Sequence, residues 1–568
     1  MARANDEVAE ALREYADLFA LEGGDAFRVR SYQRAAKAIA GYPEDLRAGH
    51  ARDVPGVGSA IAAKVEEFLG RGSFRQLDEL RAKIPEGVRR LTGVPSLGPK
   101  TALFLYRELG VDSVESLSLA IDEGRLRGLP GMGPRTVENL RLGIERRRQA
   151  GEQVHLGVAD HLAEKVVESL PGAERVAVAG AARRMCETVD GLDVLAVGPA
   201  ELMSVFTAQS YVAEILSAGD AETSVRTAQG LRVDLRLVPA ESWGAALIHS
   251  TGGAGHDARL RELAAEKGWR LSEHGLFDGD VRIASRSEEE VYAALGMQWV
   301  PPPLREDRGE VEAALRGELP ALVETEDLRG DLHTHTDLTD GIASLEDMVA
   351  AAAARGYSYF AVTDHAPDLA MQRMTLEKAL AQRERLARLQ EDFPGMRLLH
   401  GTELNIGPDG SVDWPPEVLE GFDVRVASVH SHFTQSRDQM TRRLVAACEN
   451  PGVHIIGHPT TRKIGRRPMV DADWPAVFRA AARTGTVLEI DSYPDRADLP
   501  SDLVRLARRH GVKFSIDSDA HAVPHLAYPR FGVGIAQRAA LTPDDVVNTW
   551  PLDRLLAFLD GGGAPSRS

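Results

Sequence analysis

Apolar residues recur three and four positions apart in NDEVAEALREYADLFALEGGDAFRVRSYQRAAKAIAGYP, from Asn5. That spacing predicts two amphipathic helices joined at Gly23-Gly24. Three later segments share one pattern: VPGVGSAIAAKVEEFL from Val54, VPSLGPKTALFLYREL from Val94 and LPGMGPRTVENLRLGI from Leu129. They start 40 and then 35 residues apart. Each is a Pro-containing turn that ends in Gly and leads into an amphipathic helix. From Val154 the pattern changes. VHLGVADHLAEKVVESLPGAERVAVAGAARRMCETVDGLDVLAVG predicts helix, strand, turn, helix, strand, and LRVDLRLVP from Leu231 predicts another strand. Past residue 330, short apolar runs alternate with Ala-, Leu- and Arg-rich helical stretches. Alternating strands and helices imply a parallel sheet, closed or nearly closed into a barrel.

The repeated turns leave backbone N–H groups free at helix N-termini, which bind a phosphate without reading a base. Gly56, Gly58, Gly98, Lys100, Gly131, Gly133 and Arg135 are the candidate DNA contacts. Ser96 replaces the glycine of the other two copies, which predicts weaker binding there. Arg28, Arg30, Tyr32 and Arg34 form a basic-aromatic cluster that suits a DNA end or a 5′ phosphate, and equally a solvated helix face.

The middle strands carry acids. Asp190 and Asp193 are three apart, and residues three apart on a strand do not share a face. These strands resemble a nucleotidyltransferase palm, which implies a three-carboxylate site with Asp193 and Asp234 at two positions and Gly191 at the third. Asp190 falls on the opposite face or in the preceding turn, unless a bulge at Gly191 swings it back.

Eleven of the 17 histidines lie after residue 330. They and several acids follow apolar runs: GDLHTHTDLTDG, YFAVTDHAP, RLLHGTELNIG, VRVASVHSHF, VHIIGHPT and KFSIDSDAHAV. Strand ends of a barrel converge on one mouth. The candidate ligands are therefore His333, His335, Asp340, His365, Glu403, His430, His458, Asp519 and His521. Mixed imidazole and carboxylate suits Mn²⁺, Zn²⁺ or Fe²⁺. Nine ligands exceed one ion; up to three fit, with Glu403 as the bridge. Such a cluster suits phosphodiester hydrolysis. Arg496, on YPDRADLP, is placed at the same mouth to grip phosphate. His432 stands as a supporting residue.

Length and charge bound the rest. A chain of 568 residues divides into three to five domains. It has no apolar run long enough to span a membrane, and its N-terminus lacks a signal-peptide core. Its two cysteines, Cys186 and Cys448, suit a reducing cytoplasm. Net charge is −18, unevenly spread: residues 1–150 carry 24 Lys and Arg against 22 Asp and Glu, the remainder 43 against 63. That predicts a weak, salt-sensitive non-specific grip on DNA.

DAFRVRSYQRAAKAI followed by VPGVGSAIAAKVEEFL resembles the small N-terminal domain of family X DNA polymerases, and the turn–helix repeats resemble helix-hairpin-helix motifs. The Ala179–Gly198 and Leu231–Pro239 segments resemble that family's nucleotidyltransferase palm. Residues 327–568 resemble the PHP (polymerase and histidinol phosphatase) domain. The resemblance implies a multidomain α+β and α/β chain: a helical DNA-end domain at 1–85, fingers at 86–150, palm at 151–240, thumb at 241–315, a linker at 316–326 and a distorted β/α barrel at 327–568. It implies a nucleotide site at Gly180, Arg183 and Arg184, palm carboxylates at Asp190, Asp193 and Asp234 holding Mg²⁺ or Mn²⁺, and a lyase nucleophile at Lys64. An exposed helix lysine is the better-supported reading of Lys64.

Departures cluster in the palm. Ala181 replaces a serine, Asp190-Gly191 inverts Gly-Asp, His249-Ser250 and Gly252-Gly253 alter the sugar pocket, and Asp257 replaces an asparagine and puts negative charge near the expected nucleotide. The barrel's ligands are all present. The expectation is thus a cytoplasmic, monomeric DNA repair enzyme acting on gapped, nicked or primer–template DNA. Its barrel is a Mn²⁺-dependent 3′–5′ exonuclease and its polymerase site is weakened or lost. Two alternatives stand: an active gap-filling polymerase with rearranged carboxylates that uses dNTPs, and a non-catalytic DNA-end binding module.

Overall fold

The computed structural model describes residues 4–42, 44–46, 51–54, 57–91, 97, 99–150, 153–227, 230–369 and 374–562. The two leading helices are α1 (Ala4–Leu21) and α2 (Ala26–Ala40). Gly23, at φ +84°, makes the turn between them, a conformation that costs glycine little. Asp25 caps α2 by accepting the Arg28 N–H. Helix α3 (Ser59–Arg71) and the helices Pro99–Leu109 and Pro134–Ala150 follow the three repeated turns. Val8, Leu12, Ile39, Leu77, Leu105 and Leu140 share one core. Tyr32 is buried there, edge-on to Tyr15 at 4.7 Å. The expected basic-aromatic cluster is therefore split, with Arg28, Arg30 and Arg34 outside and Tyr32 inside. Burying that ring outweighs its use as a surface platform.

A mixed five-stranded sheet comes next: β1 (Arg175–Val178), β2 (Gly191–Val197), β3 (Val212–Ala218), β4 (Glu222–Thr227) and β5 (Arg232–Leu237), in the order β1-β2-β5-β4-β3. Only β2 and β5 run parallel. Their register is unbroken, with Gly191 opposite Arg232 and Asp193 opposite Asp234. No bulge forms at Gly191. Asp190 instead occupies the bend just before β2. The helices Trp243–Thr251 and Ala254–Glu266 and a small antiparallel sheet, Arg270–Ala284, then build a separate core around Ile248, Leu260 and Tyr292.

The last unit is a seven-stranded parallel sheet in chain order: β6 (Gly330–Asp331), β7 (Tyr359–Val362), β8 (Arg397–Asn405), β9 (Val424–Ser428), β10 (Ile455–Ile456), β11 (Val487–Asp491) and β12 (Phe514–Asp517). Helices cover it, so β7 is buried along its whole length. A bridge between Thr334 and Ala520 nearly closes the barrel. The loops after the strands rise on one rim. Helix α4 (Pro529–Arg538) joins this unit to the earlier ones: Arg538 donates to Glu306 at 2.8 Å and Arg530 pairs with Asp160. Among the described residues no helix is long and apolar enough to cross a membrane.

Candidate metal centre and palm site

Each candidate ligand sits at or just beyond a strand end. His333, His335 and Asp340 follow β6, His365 follows β7, Glu403 lies in β8, His430 follows β9, His458 follows β10, and Asp519 and His521 follow β12. The structure brings all nine together. Glu403 is central: Oε1 lies 3.1 Å from both His430 Nε2 and His458 Nε2, and Oε2 lies 2.8 Å from His365 Nδ1 and 3.5 Å from His333 and His335 Nε2. Asp340 stands between His365 and His521 at 3.3 and 3.2 Å. Asp519 Oδ1 is 3.2 Å from His335 Nε2. Eight of these side chains, all but His458, fall into three groups, each with its ligand atoms within 4.8 Å of one another: His335/Asp340/His365/His521, His333/His335/Asp519 and His365/Glu403/His430.

The donors fit divalent cations. His333 Nε2 and His335 Nε2 face each other at 3.2 Å, a placement that lone pairs tolerate best around a shared cation. The side-chain Nδ1 atoms of His335 and His458 are buried with no hydrogen-bond partner among the described residues. Burial, with His521 and His365 alongside, pushes His335 down to about 4. Burial and Arg496 push His458 down to about 3. Both rings stay neutral, the form that binds metal. Burial also acts against charge on His365, but Glu403 and Asp340 carry it up to about 10. A proton there does a cation's work. Burial would raise Glu403, yet the surrounding histidines hold it well below the carboxylate range.

A second set of residues aims the ligands, and sequence reasoning missed most of it. Glu489 Oε1 takes the His333 Nδ1 hydrogen bond at 2.7 Å, and Oε2 accepts the His458 backbone N–H. Asn405 Oδ1 is 2.7 Å from His430 Nδ1. Asp364 accepts from Thr336 N and Oγ1, Thr339 and Gln382, which ties down the His333–Asp340 loop. Such partners fix ring orientation and tautomer. The available signal for Glu489 was an acid inside the apolar run VLEID. Backbone strain also marks the site, because His458 and Asp519 have φ of +26° and +47°.

Arg496 lies inside the site rather than on an open surface. It is 3.3 Å from Asp491 and 3.4 Å from Asp519, and its Nη1 is buried without a hydrogen bond. Asp491, beside Arg496, is fully buried. His432 is exposed and bonds to Ser431, away from the three groups.

The palm residues are arranged differently. Asp193 and Asp234 are direct neighbours across β2 and β5. Asp193 reaches solvent on one side. Protein packed around it, then Asp234 and Asp190, still lift its pKa. All three acids therefore lie within electrostatic reach of one another. Asp234 bonds Arg232 at 2.8 Å. Gly180, at φ +62°, passes so close that a Cβ would sit 2.1 Å from Asp193 Oδ2. The two arginines are committed elsewhere. Arg183 grips Glu288 through two bonds of 2.7 and 2.9 Å, and Arg184 meets Glu306 at 3.0 Å. Asp257 is balanced by Arg261 at 2.8 Å.

Among the hairpin residues, Gly58, Gly131 and Gly133 are exposed, and a Cβ on any of them would meet nothing within 4 Å. Lys100 is exposed in the first turn of its helix. Only the backbone of Arg135 is described, in the helix after Gly133. Gly56 and Gly98 lie outside the described residues. Lys64 is half-buried, bonds the Ala60 carbonyl at 3.3 Å and lies 5.9 Å from the Tyr32 ring.

Helical hairpins ahead of a small thumb and a metal-gathering barrel define a class of DNA-processing metalloenzymes. Family models match in that order: a helix-hairpin-helix domain at 3–74, a SAM-like helix-hairpin-helix tandem at 88–146, a DNA polymerase beta thumb at 246–306 and a PHP domain at 331–460. The chain is 32% identical to the DNA polymerase/3′-5′ exonuclease PolX of Bacillus subtilis (strain 168), over 97% of this chain and 99% of that protein. It belongs to the PolX family, the family X DNA polymerases that carry a PHP domain. It is also 32% identical to a probable phosphatase of Syntrophotalea carbinolica, over 40% of this chain and 95% of that protein.

Proposed function

We propose that this protein is a DNA repair enzyme that trims 3′ ends at gaps and primer–template junctions in its barrel, with a weak gap-filling polymerase in its palm. One observation carries the reading: eight buried or partly buried candidate ligands form three overlapping groups, and a ninth, His458, lies beside the central Glu403. His333, His335 and Asp519 would hold one ion, His335, Asp340, His365 and His521 a second, and His365, Glu403 and His430 a third, with His458 beside Glu403. Bound Mn²⁺ would supply an activated water and offset the charge of the phosphodiester. Arg496 offers its unbonded Nη1 to a phosphate oxygen. The exposed hairpin amides grip the DNA backbone without reading sequence. The proposed units are those expected above, 1–85, 86–150, 151–240, 241–315, 316–326 and 327–568, in a monomer working in the cytoplasm.

A second reading, an active polymerase, has support in the Asp193–Asp234 pair with Asp190 nearby. Against it stand the committed arginines. A 5′-labelled primer on a gapped template, with Mn²⁺ and four dNTPs, separates the two. Shortened products that vanish in His335→Ala support the nuclease. Extended products from wild type would overturn its priority.

A further inference from the structure

Helix α2 exposes Phe27, Arg30, Arg34 and Lys37. They are three, four and three residues apart, so they share one face of the helix. Phe27 is 64% exposed. The row ends at the barrel's mouth. Lys37 Nζ donates to the Asp340 carbonyl at 2.7 Å and lies 3.6 Å from its carboxylate. Just beyond it, Gly41 is pressed against Ala522 and Ile342, and Ile342 joins the N-terminal core. A basic row thus runs continuously from solvent to a candidate metal ligand. It is about 15 Å long, enough for a few nucleotides.

We propose that this face of α2 is the track along which a single-stranded 3′ end reaches the barrel. This rests on the nuclease reading above. Arg30 and Arg34 hold successive phosphates, and Lys37 positions the phosphate nearest the metal centre. Phe27 stacks on a base further back. Single-stranded DNA is the occupant because an aromatic side chain stacks on bases whose faces are free, and duplex DNA hides them. Its phosphates complement the arginines, in a chain that is otherwise acidic. Lys37 also loosens its hold on Asp340 as DNA arrives, because phosphate offers it a new partner.

The test begins without metal. A fluorescein-labelled oligo(dT) is titrated in EDTA, by anisotropy, against wild type, Arg30→Gln/Arg34→Gln, Lys37→Gln and Phe27→Ala. The arginine pair should weaken binding at least fivefold and make the salt dependence shallower by about 0.7 per charge removed. Phe27→Ala should weaken it at least about fivefold. Mn²⁺ is then added, and kcat/KM for the oligonucleotide is divided by kcat/KM for bis(p-nitrophenyl) phosphate. That ratio should fall at least fivefold in each variant. Unchanged binding in EDTA overturns the track. So does faster DNA degradation by Lys37→Gln, which would make Lys37 a latch. If the variants bind weakly and wild type cleaves the small diester but not DNA, the binding face stands and the nuclease reading falls.

Discussion

A buried carboxylate such as Glu489 has one evident task, to hold His333 and the His458 backbone in place. Glu489→Gln keeps its size but removes the charge that steadies the imidazole. Metal affinity should drop about 10–100-fold, read by metal titration, with the far-ultraviolet circular dichroism unchanged. Undiminished affinity would deny Glu489 that role. His365 makes a pH prediction. Its pKa in the metal-free fold is about 10, above its ordinary 6.5. Its protonated form therefore stabilises the apo-protein most at low pH, and that contribution fades as pH rises from about 6.5 to 10. Metal-stripped protein should lose Tm across this window, while Mn²⁺-loaded protein should not. A flat apo profile would contradict this. At this scale the nine candidate ligands were legible because each follows an apolar run. Glu489 and Asn405 were not, because a supporting residue is defined by a partner on another strand.

The hairpins and the palm put their chemistry in turns. Gly133 has ordinary φ, and nothing lies near its missing side chain. No internal contact demands glycine there, so an approaching phosphate backbone supplies a reason. Gly133→Ala should leave folding stability within about 1 kcal/mol of wild type and weaken DNA binding alike for every sequence. Sequence-selective loss would mean that base edges are read. In the palm, Asp193 and Asp234 stand side by side across β2 and β5, but a bulge was needed to rescue Asp190 and none formed. The bend before β2 depends on where pairing with β5 begins, and local pattern does not specify that. An added Cβ at Gly191 meets only the Arg232 backbone oxygen, at 3.4 Å, and Cβ, at 3.8 Å. The exchange Asp190→Gly with Gly191→Asp should therefore fold and raise primer extension, scored in a His335→Ala background. No gain would assign the weakness to Ala181 and the committed arginines.

Across the whole molecule, Glu306 is where three parts meet. It accepts from Arg184 of the palm at 3.0 Å and from Arg538 of the barrel at 2.8 Å, with Cys186 beside them. Arg538 lies 232 residues from Glu306 in sequence, so nothing along the chain could reveal the pair. Burial would raise the Glu306 pKa, but Arg538 and Arg184 bring it below its ordinary 4.5. The joint's contribution is therefore present above about pH 4.5 and is lost as pH falls through the lower folded value. Glu306→Gln removes the charge at every pH and strands a buried guanidinium, which costs about 3 kcal/mol or more. Because the barrel has its own core, the loss should fall on the coupling rather than on the barrel. Thermal unfolding at pH 7 should then split, with the palm and thumb melting earlier and the barrel near its wild-type temperature. Wild type acidified below the folded value of Glu306 should behave likewise. A single transition, shifted as a whole, would show that Arg530–Asp160 and the other contacts keep the parts coupled without Glu306.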